Sequence, residues 1–146
     1  KAITLTVEPT DLTARFDPKW TAEALYNLVD NAVKYTPAGG AVTLRAVGYE
    51  LFCRVDVTDT GPGIPESEQA RIFQRFYRSP SASEAEGVGI GLYLARQIAA
   101  GQGGYLKVSS RPGGGGAPSP CSCRGRRRGR RRRRVPARTS QIFQNC

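Results

Sequence analysis

The sequence predicts a two-layer α/β sandwich, with helices packed on one face of a mixed β-sheet. Three observations predict it. Apolar residues alternate with polar ones in short runs, at Ile3, Leu5 and Val7, at Val42, Leu44 and Ala46, and at Leu51, Cys53, Val55 and Val57. Two longer stretches instead carry apolar residues at helical spacing on one side only, over residues 18–35 and 92–100. The two kinds of segment interleave along the chain without an internal repeat, so both layers come from one domain.

Each element has a local reason. Residues 3–7 read as a half-buried strand and residues 12–16 as a second short one. Asp17 is a good N-cap, and Pro18 at the first helical position needs no N–H partner. The helix that follows runs to Tyr35 and is closed by Thr36-Pro37 and Gly39-Gly40. Gly48-Tyr49-Glu50 turns a hairpin between the next two strands. Asp59 keeps the inward parity of Val55 and Val57, so a carboxylate stands where an apolar residue would be expected. A buried carboxylate without partners is costly, so something must hydrogen-bond it. The glycines and prolines of residues 61–65 then break the strand. Residues 66–76 read as a short helix and residues 78–86, small and polar, as a loop. Residues 87–91 form a glycine loop, residues 92–100 a helix with Leu94 and Ile98 inward, and residues 104–110 a final strand.

Composition narrows the function classes. The chain has 146 residues and a formal net charge of +10, with no histidine. That charge is not spread evenly. Residues 1–110 hold all 12 acidic residues and half of the 22 basic ones, so the body is close to neutral and offers no nucleic-acid surface. The excess lies in residues 111–146, where residues 124–134 are arginine at every position but Gly125 and Gly129. Of the four cysteines, Cys53 sits in an apolar strand pattern as a reduced core residue. Cys121, Cys123 and Cys146 lie in the tail, with no spacing that closes a zinc site or a disulfide framework. No apolar run is long enough to span a bilayer and no signal peptide opens the chain. The chain begins without Met, in mid-pattern, as a piece of a longer protein would.

Four stretches carry chemistry. In the first helix Asn27, Asn31 and Lys34 are spaced by four and three, which puts two amides and an ammonium on one face. Leu25, Leu28, Val29, Ala32 and Val33 fall mostly on the opposite face. An Asn oxygen can ligate a magnesium ion that keeps most of its waters, and a lysine can reach a phosphate. The same asparagines could equally brace neighbouring loops. Asp59, with Gly61 and Gly63 behind it, can accept a hydrogen bond from an exocyclic amine above a flat slot, or can simply close its own turn. Gly87, Gly89 and Gly91 precede a helix, where backbone amides and the helix dipole favour an anion. The glycine loop is neither a Rossmann fingerprint, since no strand leads into it, nor a Walker A loop, since no Lys-Ser/Thr follows.

Taken in order, N-x-x-x-N-A-x-K-Y-T-P (27–37), D-x-G-x-G-I-P (59–65), I-F-x-x-F-Y-R (72–78) and G-x-G-I-G-L (87–92) resemble the ATP-binding catalytic domain of two-component sensor histidine kinases. That domain belongs to the Bergerat-fold superfamily, and the resemblance covers about residues 1–110. It implies ATP and Mg2+ as ligands, with Asn31 as the metal ligand and Asn27 assisting. Lys34 and Tyr35 would contact the nucleotide. Asp59 would read adenine, with Gly61, Gly63 and Ile64 beneath the base. Gly87, Gly89, Gly91 and Leu92 would form the phosphate side. Phe73 and Phe76 would anchor a lid whose mobile part is residues 78–86. Arg75 and Arg78 would reach the terminal phosphate or a partner domain, or be plain surface arginines. Asn31, Lys34 and Arg75 are thus the residues implied for catalysis.

The resemblance also separates transfer from hydrolysis. ATP-hydrolysing members of the superfamily, such as the ATPase component of DNA gyrase, carry a Glu base one turn before the magnesium Asn. Here that position is Asn27, and an amide cannot take a proton at neutral pH. Transfer of the γ-phosphate to a histidine is therefore implied. That histidine lies on a separate dimerisation domain, with a response regulator downstream. By the same resemblance the piece is a monomeric cytoplasmic domain whose parent sits in a bacterial cell membrane. The alternatives are a nucleotide-binding fragment without activity, or nucleic-acid binding through the arginine-rich tail. That tail has no interleaved aromatic residues to stack bases.

The C-terminus departs from the family, which continues after the Gly113–Gly115 region into a last strand of the type T-F-x-L-x-L-P. Codons for residues 117–125, read from their third base, can encode Thr-Phe-Ser-Leu-Phe-Leu-Pro-Arg, which is that strand. The expectation is a kinase-type domain over residues 1–112, with its last strand lost. Residues 113–146 would then be a disordered Gly/Pro/Arg-rich tail arising from a frameshift.

Overall fold

A computed structural model describes residues 1–80, 87–110 and 138–145. Five strands form one sheet in the order β1-β2-β3-β5-β4: Thr4–Val7 (β1), Ala41–Gly48 (β2), Phe52–Asp59 (β3), Tyr105–Ser109 (β4) and Arg138–Asn145 (β5). β1 runs parallel to β2 and every other pair is antiparallel, so the sheet is mixed, as expected. The helices Pro18–Tyr35 (α1), Glu66–Gln69 (α2) and Gly91–Gly101 (α3) complete the described elements, with a single 3-10 turn at Arg71–Phe73.

α1 starts where its cap predicts. Asp17 Oδ1 accepts from the amides of Lys19 and Trp20 at 3.0 Å each, which satisfies two of the unpaired N–H groups of the first turn. It ends where Thr36 donates its own N–H (3.0 Å) and its hydroxyl (2.7 Å) to the carbonyl of Ala32. Its inward face, Ala24, Leu28 and Ala32, meets Ala95, Ile98 and Ala99 of α3 over Val42, Val57 and Leu106 of the sheet. Small residues on both helices let them lie close together. A second, smaller cluster of Ile64, Ile72 and Val108 sits under the segment that follows β3, and Leu92 and Phe73 pack against both clusters.

Three expectations are corrected. Residues 12–16 form no strand: Leu12 turns on the hydroxyl of Thr10 (3.2 Å) and lays its side chain over Gly48, so this segment covers β2 rather than pairing with it. The helix expected over residues 66–76 stops at Gln69 and gives way to the 3-10 turn, which brings Ile72 into the small cluster. The sheet is also not left short of its last strand. Residues 117–125, where a shifted frame would encode the family strand, lie outside the described residues, as does most of the tail. Arg138–Asn145, further along, is a strand and fills the place between β3 and β4, so that part of the expected disordered tail is ordered. Its sequence hid this: around Ile142 and Phe143 it carries only polar residues.

Candidate nucleotide site

The C-terminal half of α1 is the common wall of the site. Asn27 donates from Nδ2 to the carbonyl of Glu23 at 2.8 Å and to Glu23 Oε1 at 3.3 Å. Asn31 donates from Nδ2 to the carbonyl of Asn27 at 2.9 Å. With both NH₂ groups tied to the helix, the site is offered the two side-chain oxygens. The first turn of α3 lies against both amide groups: a β-carbon at Gly91 would stand 2.9 Å from Asn27 Oδ1 and 3.4 Å from Asn31 Nδ2. Neutral oxygens beside a helix N-terminus suit a hard cation that already carries a phosphate and its own waters. The donor set therefore fits magnesium held with a nucleotide.

Lys34 is one turn further on. Its ammonium is 2.5 Å from Asp30 Oδ2, and that hydrogen bond holds it above the ordinary lysine range, against the opposing pull of burial. The same Nζ is 3.8 Å from where a β-carbon of Gly87 would be, so Lys34 borders the entrance to the glycine loop. Asp30 is a partner that the sequence reading does not assign. Its position four residues before Lys34 was the available signal.

Asp59 ends β3 on the inward parity and is only 2% exposed. Its Oδ1 accepts from the Gly61 amide at 2.9 Å. Gly61 has no room for a side chain, since a β-carbon would lie 2.7 Å from Asp59 Oδ1 and 3.1 Å from the carbonyl of Tyr35. The end of α1 thus touches the Asp59 turn directly. Ile64 is buried, and its amide donates to Ser110 Oγ at 2.7 Å. Gln69 Nε2 donates to the carbonyls of Ile64 (3.1 Å) and Ser110 (2.8 Å). This clamp ties the turn to the end of β4. Sequence reasoning missed both Ser110 and Gln69, because nothing local marks a contact between segments so far apart.

The glycine loop is held from the other side. Gly89 has φ +74°, and a β-carbon there would meet the carbonyl of Tyr77 at 2.7 Å; its own carbonyl accepts from the Phe76 amide at 2.9 Å. Phe76 itself has φ +61° and is 64% exposed. The expected anchor is therefore corrected: Phe73 packs by its ring, whereas Phe76 holds the loop by its backbone. Arg75 lies over the ring of Tyr93, 5.0 Å from its centroid, in the first turn of α3. A guanidinium there adds to the positive end of the helix. Of the expected lid, residues 81–86 lie outside the described residues. One helix thus borders both the Asp59 turn and the glycine loop.

A family model described as histidine kinase-, DNA gyrase B- and HSP90-like ATPase matches residues 16–117. The chain belongs to this family. Its fold is that of a histidine-kinase-type ATP-binding domain, the GHKL or Bergerat fold. Among curated proteins, it is 44% identical over 104 residues to the adaptive-response sensory kinase SasA of Synechococcus sp. (strain JA-3-3Ab), covering 70% of this chain and 28% of that one. It is 40% identical over 99 residues to the sensor protein CreC of Escherichia coli (strain K12), covering 68% and 21%. Among solved structures, a mycobacterial sensor histidine kinase MprB superposes with a TM-score of 0.70 at 29% identity, covering 99% of this chain and 82% of that one. The GHKL domain described here thus spans less than a third of the curated relatives it matches. Among its described residues, no helix is long and apolar enough to cross a membrane.

Proposed function

We propose that this domain binds ATP with Mg2+ and serves as the catalytic half of a sensor histidine kinase, transferring the γ-phosphoryl group to a histidine on a separate domain. Asp59 would accept the hydrogen bond of the adenine amine, with Gly61, Gly63 and Ile64 beneath the ring and Tyr35 at its edge. Asn31 would ligate the metal, with Asn27 assisting. Lys34, Gly87, Gly89, Gly91 and Leu92 would line the phosphates, and Arg75 would face the terminal one. Magnesium, when bound, would neutralise charge on the phosphate oxygens. The chain's own residues would contribute position: they fix the triphosphate in line with an external nucleophile and bring no base of their own to water.

One observation carries this reading. By the resemblance, Asn27 stands where the ATP-hydrolysing members carry a carboxylate base, and its amide nitrogen is committed to Glu23. The chain contains no histidine, so the acceptor must come from outside these 146 residues. A response regulator would receive the phosphoryl group next, and the parent protein would place this domain in the cytoplasm beneath a bacterial membrane. The similarity to SasA, CreC and MprB supports the kinase assignment.

The test has two stages. Calorimetry with a non-hydrolysable ATP analogue and Mg2+ should give one site, with affinity falling at least about tenfold, or 1.4 kcal/mol, in Asp59→Asn and Asn31→Ala. Radiolabelled ATP mixed with the domain and a separately produced dimerisation helix pair should then label the helix pair. Binding without any transfer would leave a nucleotide-binding module and remove the kinase reading.

A further inference from the structure

β3 and β4 run in the same direction, each antiparallel to β5, and each pairs with it along its whole length. Without β5 both would present a row of unpaired N–H and C=O groups, which costs stability and invites another strand. Nothing in the connectivity forces β5 into that gap. Adjacent antiparallel strands can be joined by two residues. Here residues 110–137 intervene, far more than crossing one strand spacing of about 4.8 Å requires. What the structure shows holding β5 in place is its pairing with β3 and β4, as a tethered ligand would be held.

The gap also borders the candidate site at two points. Asp59 is the register partner of Arg138. β4, through Ser109 beside Thr139, leads into Ser110, whose hydroxyl and carbonyl hold Ile64 and Gln69. Whatever sits between β3 and β4 fixes the spacing of these two anchors, which carry the two ends of the Asp59–Ile64 turn.

We infer that the gap between β3 and β4 is a strand-accepting site, filled in this chain by its own C-terminal segment Arg138–Asn145, and that its occupancy sets the nucleotide site. The recognition is β-augmentation: an extended peptide, antiparallel to both neighbours, bonded through its backbone on both edges. The link to nucleotide affinity rests on the function proposed above; the strand site itself does not.

The test uses the full chain with a specific protease sequence placed within residues 113–116. After cleavage the C-terminal fragment should stay with the domain on a native sizing column. The backbone amides of Phe52–Asp59 and Tyr105–Ser109 should stay protected from hydrogen exchange, and the species should remain a monomer. Excess synthetic peptide of residues 138–145 should displace the fragment. In the uncut chain, Ile142→Pro removes a donor that a central strand needs. It should strip protection from β3 and β4 and weaken analogue binding at least about tenfold, whereas Ile142→Val should do neither. A fragment that separates while protection is unchanged overturns the inference, as does an Ile142→Pro chain with full protection and affinity. A protected dimer would overturn the in-chain assignment and give the site to a second copy. If the fragment is retained and protection holds but no analogue binds, the nucleotide reading fails and the strand site stands.

Discussion

Gly91 opens α3 against the side-chain oxygen of Asn27, with 2.9 Å between that oxygen and the place a β-carbon would take. The contact lies between the helix that carries the oxygen donors and the helix whose N-terminus would face the phosphates. A methyl group at this position meets the flexible ends of Asn27 and, less closely, Asn31. It would displace the oxygen and leave the core untouched.

Gly91→Ala therefore separates stability from binding. Alanine has the better helix propensity by up to about 1 kcal/mol, and Gly91 has no positive φ to forbid it. The melting temperature should stay level or rise slightly. Affinity for a magnesium–nucleotide analogue should fall at least about tenfold. Thermal melts and calorimetry on the same sample check both halves, and a parallel loss of both would refute the local account.

Ser110→Ala probes the clamp on the Asp59–Ile64 turn. It removes the acceptor of the Ile64 amide and keeps the carbonyl that Gln69 uses. Leaving a largely buried N–H without a partner costs about 1–3 kcal/mol. Urea denaturation should show a loss in that range, and Ser110→Thr, which restores the hydroxyl, should recover most of it. Ser110→Ala with unchanged stability would mean that the turn is held by the second core cluster alone.

How far the sequence reached follows from where each signal resides. α1 was legible in full because its cap, its Pro18, its apolar face and its stop all lie within one local stretch. Asp59 was legible through parity: it continues the inward rhythm of Val55 and Val57, and burial bears that out. Asn27, Asn31 and Lys34 were legible as one face of a helix, though not the commitment of both amide nitrogens to the helix backbone. Ser110 and Gln69 were not legible, because their partners lie far away in sequence and a serine after a strand carries no mark. β5 was the largest miss. Local propensity gives no reason to read a mostly polar segment after an arginine run as a central strand; the reason is tertiary, in the unpaired edges of β3 and β4.

The Asp30–Lys34 pair gives a pH prediction with a definite sign. The folded-state pKa of Lys34 is raised, so the pair's contribution is fully present below the ordinary lysine value of 10.5 and is lost as pH rises through the raised value. Both side chains are about a third exposed, so the pair is worth no more than about 0.3–0.5 kcal/mol after solvent screening. The stability difference between the parent and Asp30→Asn should be small and equal at neutral and mildly alkaline pH, closing only above the lysine range. Freed of Asp30, Lys34 is more available to phosphate, and analogue affinity should rise by about fivefold or less. Denaturation curves across the alkaline range, with calorimetry at neutral pH, check both statements; a fall in affinity would show that Asp30 aids binding.

Ser140 offers the last prediction. It stands in register with Val57 on one side and Val108 on the other, residues only 1% and 8% exposed. The row continues across β2 through Leu44 and ends at Val7 on β1. A polar residue at the middle of an otherwise apolar row is out of keeping with the neighbours it pairs with. Ser140→Val extends the row across the whole sheet and puts a β-branched residue where a pleated central strand favours one. The gain should be roughly 1 kcal/mol from the added apolar groups. The same exchange at Gln141, which stands in register with Asp56 and Lys107, should give none. Chemical denaturation of the two variants side by side decides the matter. A gain at Gln141 and none at Ser140 would mean that the register of β5 is displaced by one residue, because such a slip exchanges the faces of every position in the strand.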